Sequence, residues 1–318
     1  MKRGVLVILA SFAIPFAFTS CSDDENDDAE KATVNFKMTD APIDNSSVEA
    51  VFVTVANIKV DGNSVDGFQK QTIDLTAYQN GNAKLLTSEQ LDVNAYSNIS
   101  LVLDYESDDS GNSPGCYVIT EDDMKHNLNA GSQSQGEITI NDGFDVQSAT
   151  ENNVVIDFDL RKSIVSGNES HSESDFSFVT QNEMNNALRA VVESESGSVE
   201  GNAENESAAE GEMVVYAYHK GEFESSTETS GQGSSNVMFA NAVTSAKVNN
   251  DGSYKLSFLQ EGEYELHVAN YQENNDGELE FQGTMEASSS TSGYLLGGIM
   301  VEANSQLMID LLISGIFK

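Results

Sequence analysis

The sequence is poor in basic residues. Lysine and arginine number 15 against 52 aspartates and glutamates, which gives a formal net charge of −37 over 318 residues. Such a surface repels phosphate backbones and anionic lipid headgroups, so nucleic-acid binding is excluded as an expected function. The acids are spread along the chain among 39% hydrophobic residues, which excludes a largely disordered protein as well.

Cysteine, proline and tryptophan are also scarce: the chain has two, three and none, respectively. Two cysteines exclude a disulfide-rich scaffold. We expect Cys116 to be a small, half-buried hydrophobic side chain, because no basic residue or histidine adjoins it in sequence. Few prolines and 24 glycines, with many Ser, Asn and Asp clusters between short apolar runs, indicate an all-β chain with frequent turns.

Motifs of familiar catalytic chemistry are absent from the sequence. No His-Glu-x-x-His, Gly-x-Ser-x-Gly or glycine-rich phosphate loop occurs. The four histidines, His126, His171, His219 and His267, fall at no metal-ligand spacing and beside no activated serine. We therefore predict a protein that is not an enzyme and has no organic cofactor.

The amino-terminal residues predict a lipid anchor. Lys2 and Arg3 precede an apolar run over residues 4–18, which has the layout of a secretory signal and is shorter than the roughly 20 residues of a spanning helix. Small residues immediately precede Cys21, and this junction resembles the lipobox of bacterial lipoproteins. The resemblance implies removal of residues 1–20 and acylation of Cys21. Without Lys2 and Arg3 the chain keeps 13 basic and 52 acidic residues, a formal charge of −39.

The four residues after Cys21 are polar and mostly acidic: Ser22, Asp23, Asp24 and Glu25. They resemble the export signal of Bacteroidetes-type lipoproteins. That resemblance implies an outer-membrane protein that faces the cell exterior. Residues 21–32 have no hydrophobic periodicity, so we predict that they form a flexible acidic tether between the membrane and the folded part.

Alternation of apolar and polar residues predicts strands throughout the chain after residue 32. A polar Ser/Glu/Gly boundary divides them into two tandem β-sandwich domains, residues 33–193 and 194–318. The longest predicted strand, residues 48–60, places the valines at 51, 53 and 55 on one face and Ile58 on the other. Asp-Gly-Asn at 61–63 then predicts a hairpin turn.

Several motifs of the first domain support a family resemblance. They are Met38-Thr39-Asp40-Ala41-Pro42, the 48–60 strand, Ile99-Ser100-Leu101-Val102-Leu103, and Ile156-Asp157-Phe158-Asp159 leading into Lys162-Ser163-Ile164-Val165. With them, residues 33–192 resemble the domain-of-unknown-function family 4382 of bacterial lipoproteins. The resemblance implies a β-sandwich of immunoglobulin or transthyretin type and no established activity. A tryptophan common near the third strand of that family is missing, and Phe68 takes its place in this interpretation.

The second domain has its own turn and strand pattern. It combines a Gly-x-Val-x-Gly start at 197–201 with Asp-Gly-x-Tyr at 251–254 and Gly-x-Tyr-x-Leu-x-Val at 262–268. This pattern resembles the carboxypeptidase-regulatory-like, prealbumin-type β-sandwich over about residues 195–318. Tyr254 and Tyr264 are predicted core residues. Tyr271, in a polar stretch, is instead predicted to be an exposed ligand contact.

The carboxylates of Asp157 and Asp159 have the most suggestive spacing. Two residues apart on a strand, they lie on one face and can reach one cation. Together with Asp40 or Asp104 they predict an oxygen cage for calcium, whereas the alternative is an ordinary solvated sheet face. As an acid and base for sugar cleavage, the same pair requires a cleft and a carboxylate separation of about 5–9 Å.

The expected function is binding or display outside the cell. We predict a non-catalytic adhesion or ligand-capture protein for extracellular glycans or proteins, held at the membrane by the lipid on Cys21. Two alternatives remain open at this point. One is a structural or accessory subunit of an outer-membrane envelope assembly, and the other is a hydrolase that uses Asp157 and Asp159.

Overall fold

The computed structural model describes residues 30–42, 45–128, 135–148, 150–166, 176–274 and 279–317. The residues of the predicted acylation and export signals, 21–25, lie outside these ranges, as does His171. The described chain is all-β, as predicted, and forms two domains. We call residues 30–195 the first module and residues 196–317 the second module. Within the described ranges no strand of one module pairs with a strand of the other, and the sheets divide at the 3-10 turn Glu193–Glu195.

The first module is a sandwich of a four-stranded and a seven-stranded sheet, with two small strand pairs beside them. Its strands are β1 Lys31–Ala41, β2 Val48–Val60, β3 Asn63–Ser64, β4 Gln71–Asp74, β5 Lys84–Asp92, β6 Ala95–Tyr96, β7 Ile99–Asp104, β8 Tyr117–Thr120, β9 Lys125–Asn127, β10 Gln135–Ile140, β11 Phe144–Asp145, β12 Asn152–Asp159, β13 Ile164–Ser166, β14 Phe176–Phe178 and β15 Leu188–Val192. The first sheet has the order β15-β12-β1-β5 and the second the order β10-β7-β2-β8-β9, with β3 and β4 also on β2. Strands β1 and β12 run parallel, and one apolar cluster fills the space between the sheets.

Strand β2 has the predicted bounds but not the predicted faces. A bulge between Val55 and Asn57 shifts its register against β7. The extra residue turns Ile58 to the side of Val53 and Val55, and all three side chains are fully buried. The prediction that Ile58 lies on the opposite face was wrong, because strict alternation ends at a bulge. The hairpin turn is confirmed, since Asp61 and Gly62 both have positive φ and join β2 to β3.

The second module is one nine-stranded sheet that folds around an apolar core. Its strands are β16 Ser196–Asn205, β17 Glu212–His219, β18 Thr244–Lys247, β19 Ser253–Gln260, β20 Gly262–Glu273, β21 Leu279–Ser289, β22 Ile299–Val301, β23 Gln306–Met308 and β24 Leu311–Phe317. Tyr254 and Tyr264 lie in this core, as predicted. The alternation in β19 and β20 therefore identified one buried face correctly.

Three short helices interrupt the strands: α1 Leu160–Ser163, α2 Gln181–Ala187 and α3 Ser225–Glu228. Helix α1 begins where the carboxylate of Asp159 accepts a hydrogen bond from the backbone N–H of Lys162. Helix α2 begins with a capping box between Thr180 and Glu183. Both helices lie where the first module meets the second.

A 24-residue segment between β17 and β18, residues 220–243, joins the two modules; we call it the insertion. Its Phe239 packs on Tyr216 and Tyr271, on the face of β17 and β20 that points away from the main core. Its Val237 belongs to the core of the first module. The insertion therefore contributes Val237 to the first core and Phe239 to a separate apolar cluster of the second module.

Candidate functional site

Three cationic side chains of the first module donate hydrogen bonds to backbone carbonyls of the second. Arg161 donates to the carbonyls of Met238 at 2.7 Å and Phe239 at 3.1 Å. Lys162 Nζ donates to the carbonyl of Ala242 at 3.0 Å. A third donor, Arg189, bonds the carbonyl of Phe258 at 2.6 Å and that of Ser257 at 3.3 Å. We call Arg161, Lys162 and Arg189 the interface cations.

Each interface cation is paired with an aspartate of β12. The Oδ2 atom of Asp157 lies 2.7 Å from Nη2 and 3.0 Å from Nε of Arg189. The Oδ2 atom of Asp159 lies 3.4 Å from both Arg161 Nη2 and Lys162 Nζ. Both aspartates are buried because the second module covers this face of β12. The predicted sharing of one face by Asp157 and Asp159 holds, but that face is an interface and not a solvated surface.

The four predicted calcium ligands do not converge. Asp40 ends β1 beside β12, where its carboxylate accepts bonds from Gln79 and from the N–H of Leu160. Burial, with the charges of Asp157 and Asp159, raises the pKa of Asp40 well above its usual value despite those two bonds. Asp104 lies in the other sheet and pairs with Lys70 at 3.0 Å.

The carboxylates are therefore arranged for ion pairs with protein cations. Among the residues that the structure describes, no three His, Cys, Asp or Glu side chains are grouped to hold a metal ion. The pairing of Asp157 and Asp159 with arginine and lysine satisfies their charge without a bound ion. The expectation that Asp40, Asp104, Asp157 and Asp159 form one cage is corrected by this geometry.

Tyr271 is not an exposed ligand contact. It lies in β20 with 1% of its surface exposed, and its hydroxyl is 2.6 Å from the hydroxyl of Tyr216. The insertion covers both rings through Phe239. The prediction was wrong because the local sequence is polar, whereas the cover comes from a distant segment of the chain.

Two carboxylates, one buried and one half-buried, fix the insertion. Glu183 of α2 accepts bonds from the backbone N–H of Ser235 at 3.0 Å and its hydroxyl at 2.7 Å. Within the insertion, Glu228 is buried and accepts bonds from the hydroxyl of Tyr218 at 2.8 Å and the N–H of Asn241 at 3.2 Å. These bonds fix the path of the insertion between the modules.

A cleft of about 880 Å³ lies between the modules and the insertion. Its first-module wall comes from α2, β15 and the turn after β10, and its second-module wall from the insertion and the ends of β17 and β19. Lys162 and Arg189 lie at its base, already paired. The cleft combines a large concave volume with polar groups from both modules, so it is the candidate functional site.

Four polar side chains of the cleft are available to a ligand. The side chains of Asn141, Asn186 and Gln260 have no hydrogen-bond partner within the described part of the chain. The exposed ring of His219 stacks on buried Tyr264 at a centroid distance of 5.0 Å. The arrangement can present amide donors and acceptors beside one flat ring.

Comparison with protein families matches one part of the chain. Residues 31–173 match the family described as "Domain of unknown function (DUF4382)". The DUF4382 match is shorter than the expected 33–192 and ends before β14. Helix α2 and β15 therefore complete the first module outside the match, and they carry most of its cleft wall. The DUF4382 match does include β12 with Asp157 and Asp159, and the interface cations Arg161 and Lys162.

Comparison with solved structures gives distant similarities, and comparison with curated proteins gives no match. A leucine-rich repeat protein from Bacteroides thetaiotaomicron is 13% identical at a TM-score of 0.23; the alignment covers 91% of this chain and 27% of that one. The major pilin subunit BcpA of Bacillus cereus is 10% identical at a TM-score of 0.19, and the alignment covers 90% of this chain and 71% of that one. The minor pilin GBS52 of Streptococcus agalactiae is 12% identical at a TM-score of 0.20, and the alignment covers 89% of this chain and 96% of that one. The chain thus spans about a quarter of the length of the leucine-rich repeat protein. Its division into two domains follows from the strand pairing within this chain.

Sequence reasoning missed the interface cations, the role of the insertion and the cleft. One signal was present: Arg161, Lys162 and Arg189 are three of only 15 basic residues, and Arg161 and Lys162 follow Asp159 after a single leucine. Burying a cation requires a partner, so a basic pair beside alternating aspartates indicates buried ion pairs as well as a solvated face.

No helix of the described residues is long and apolar enough to cross a membrane.

Proposed function

We propose that this protein is a cell-surface lipoprotein that binds an extracellular glycan or protein in the cleft between its two modules. The cleft carries the proposal, since it combines about 880 Å³ of concave space with unbonded amides from both modules. Sites for ligands are typically clefts of this size, with a few polar groups that fix the ligand's orientation. The second module supplies one wall of the cleft, largely through the insertion. The prealbumin-type pattern of residues 195–318 supports its assignment as a β-sandwich.

The cleft is held open by the contacts between the modules. Arg161, Lys162 and Arg189 fix the second module from one side, and Glu183 fixes the insertion from the other. A site that is already formed before binding loses less conformational entropy when the ligand arrives. This supports a binding protein whose two modules act as one body.

Membrane attachment is the second part of the proposal. The lipobox-like junction at Cys21 supports acylation of its thiol after removal of residues 1–20. One acyl chain binds a membrane only reversibly, so stable anchoring needs more than one. The acidic residues Asp23, Asp24 and Glu25 support export to the outer face of the outer membrane.

The attachment is tested with two variants in intact cells. We expect Cys21→Ala to move the protein from the membrane fraction to the soluble fraction. Replacing Asp23, Asp24 and Glu25 together by alanine should leave the protein in the membrane but protect it from external protease. Continued digestion of the triple variant by protease added to intact cells would overturn the surface assignment.

Ligand binding is tested with the soluble mature chain, residues 22–318. The chain is applied to an array of neutral and acidic glycans and to a display of extracellular proteins. Gln260→Trp places a large ring at an exposed position of the cleft wall, and Asn94→Trp does the same at an exposed position of the first module outside the cleft. Binding that Gln260→Trp abolishes and Asn94→Trp preserves supports the proposal, whereas loss with neither variant would place the ligand elsewhere.

A further inference from the structure

We infer that the ligand of the cleft is a neutral oligosaccharide. This inference rests on the proposed binding function and names the chemical class that the cleft selects. It starts from the charges of the lining residues and continues with their hydrogen-bonding groups and the one exposed ring. The amide side chains among them come from both modules, and the ring comes from the second.

The cations of the cleft are unavailable to an anionic ligand. Lys162 Nζ donates to the carbonyl of Ala242 and lies 3.4 Å from Asp159. Arg189 is held by Asp157 through Nε and Nη2, and its Nη1 donates to the carbonyl of Phe258. A ligand anion would have to displace these buried pairs, which costs more than it returns. The base of the cleft therefore offers a ligand no unpaired cation among the described residues.

The acids of the cleft are mostly engaged as well. Asp142 accepts a bond from the N–H of Ala190 at 2.9 Å, and Glu183 accepts from Ser235. Glu222 remains as an exposed carboxylate on the cleft wall, without an ion pair among the described residues. The residual charge is negative, in a chain that is strongly acidic overall, so acidic sugars are repelled.

Amide side chains are the free neutral hydrogen-bonding groups of the cleft. Asn141 and Asn186 lie on the first-module wall and Gln260 on the second. A primary amide offers a donor and an acceptor at adjacent atoms, which complements a hydroxyl that both donates and accepts. Neighbouring hydroxyls of a sugar ring match such groups from two sides. A neutral polyhydroxylated ligand therefore satisfies the amides without any change in protonation.

His219 supplies the flat surface. Its ring stacks on Tyr264 at an interplanar angle of 29°, and the residue is exposed and lines the cleft. A ring fixed in this way can pack against the C–H face of a sugar while its nitrogens contact hydroxyls. The volume of about 880 Å³ is at the upper end of the usual range for small-ligand sites, about 300–1,000 Å³, which favours several sugar rings over one.

The inference is tested by isothermal titration calorimetry on residues 22–318. The probes are neutral hexasaccharides of glucose, mannose and xylose, chosen from array hits, and a galacturonic acid hexasaccharide as the acidic counterpart. We expect binding of at least one neutral probe and none of the acidic one. Asn141→Ala, Asn186→Ala and Gln260→Ala should each weaken that binding about 5- to 10-fold, the effect of losing one or two hydrogen bonds, and Asn94→Ala should leave it unchanged.

Two results would overturn the inference. Binding of the acidic hexasaccharide more tightly than every neutral probe would show that free positive charge dominates the cleft. Capture of a protein ligand that Gln260→Trp abolishes, with no neutral glycan bound on the array, would retain the proposed binding function and refute the glycan class. Absence of any ligand sensitive to Gln260→Trp would instead refute the proposed function itself.

Discussion

Arg161 is the most enclosed of the interface cations, with 1% of its side chain exposed. Its guanidinium joins three acceptors that lie far apart in sequence: Asp159 on β12 and the carbonyls of Met238 and Phe239 in the insertion. It also lies 5.0 Å from the ring centroid of Tyr216, within range of a cation–π contact. A planar group with five donors suits this geometry, and a lysine would not.

We predict that Arg161→Met lowers the free energy of unfolding by about 2–4 kcal/mol. The loss arises because two buried carbonyls lose their donor and Asp159 keeps only Lys162 as a charge partner. Urea denaturation of residues 22–318, followed by tyrosine fluorescence, measures it. Lys59→Met is the matched control, because the Lys59 pair with Glu137 is partly exposed and should contribute about 1 kcal/mol or less. Equal losses for the two variants would contradict a special role for Arg161.

Cys116 gives a second test at the scale of a single residue. The thiol is fully buried, more enclosed than the sequence suggested, and it accepts a bond from the N–H of Thr54. Burial raises the pKa of Cys116 to about 12. The reactive thiolate is therefore nearly absent at pH 8. We predict that 5,5′-dithiobis(2-nitrobenzoate) leaves the native chain of residues 22–318 unmodified at pH 8 and labels one thiol in 6 M guanidinium chloride; rapid labelling of the native chain would contradict the buried position.

Strand β12 shows most clearly where the prediction from sequence and the structure agree and where they differ. Its inward residues, including Val154, Ile156 and Phe158, were predictable from alternation and are buried. Alternation predicts a solvent-facing side for Asp157 and Asp159, because it depends only on the polarity of the residues. It carries no information on which part of the chain packs against that face. The pair of Asp157 with Arg189 depends on the register of β12 against β15, and the burial of both aspartates depends on the second module, neither of which a local pattern encodes. The same limit applies to Tyr271, whose cover comes from the insertion.

The insertion owes its position to Glu183 of α2. Burial alone would raise the pKa of Glu183, but hydrogen bonds from Thr180 and Ser235 outweigh it and lower the pKa to about 2. Gly233, which has a positive φ, passes so close to this carboxylate that a Cβ atom would collide with it. The element therefore depends on one ionised carboxylate and one residue without a side chain.

We predict a specific pH dependence for Glu183→Gln. An acid whose pKa is lowered by folding stabilises the protein fully above its unfolded pKa, about 4.3, and loses that contribution as the pH falls toward the folded value. The melting temperature of the unmodified chain should therefore exceed that of the variant by a constant amount above about pH 5. The difference should shrink between pH 5 and 2. Differential scanning fluorimetry across this range measures it, and a difference that grows on acidification would contradict the assigned bonds.

At the scale of the whole molecule, charge and connectivity act together. The chain has 15 basic residues, and three of them lie between the modules: Arg189 pairs with Asp157, and Arg161 and Lys162 share Asp159. The remaining surface is strongly acidic, which favours solubility and disfavours self-association. Apart from the covalent link at residues 193–195, the modules are joined by the hydrogen bonds of these cations to carbonyls of the second module and by the insertion, whose Val237 lies in the first core.

These contacts predict that the two modules unfold as one cooperative unit. Calorimetry of residues 22–318 at pH 7 should give a single transition whose calorimetric and van't Hoff enthalpies agree. The double variant Arg161→Met/Arg189→Met removes donors to four carbonyls of the second module and leaves Asp157 without its partner. Since each module has its own apolar core, we expect the double variant to unfold in two separate transitions.

The control for this prediction is Lys59→Met/Lys220→Met, which removes two partly exposed ion pairs, one in each module. It takes away the same number of charges but no bond between the modules, so it should keep a single transition with a small shift. A single transition in the interface double variant would assign the coupling to the insertion and Val237 alone. In that case Val237→Ser should divide the transition, because a hydroxyl would replace a buried apolar side chain of the insertion that lies in the first core.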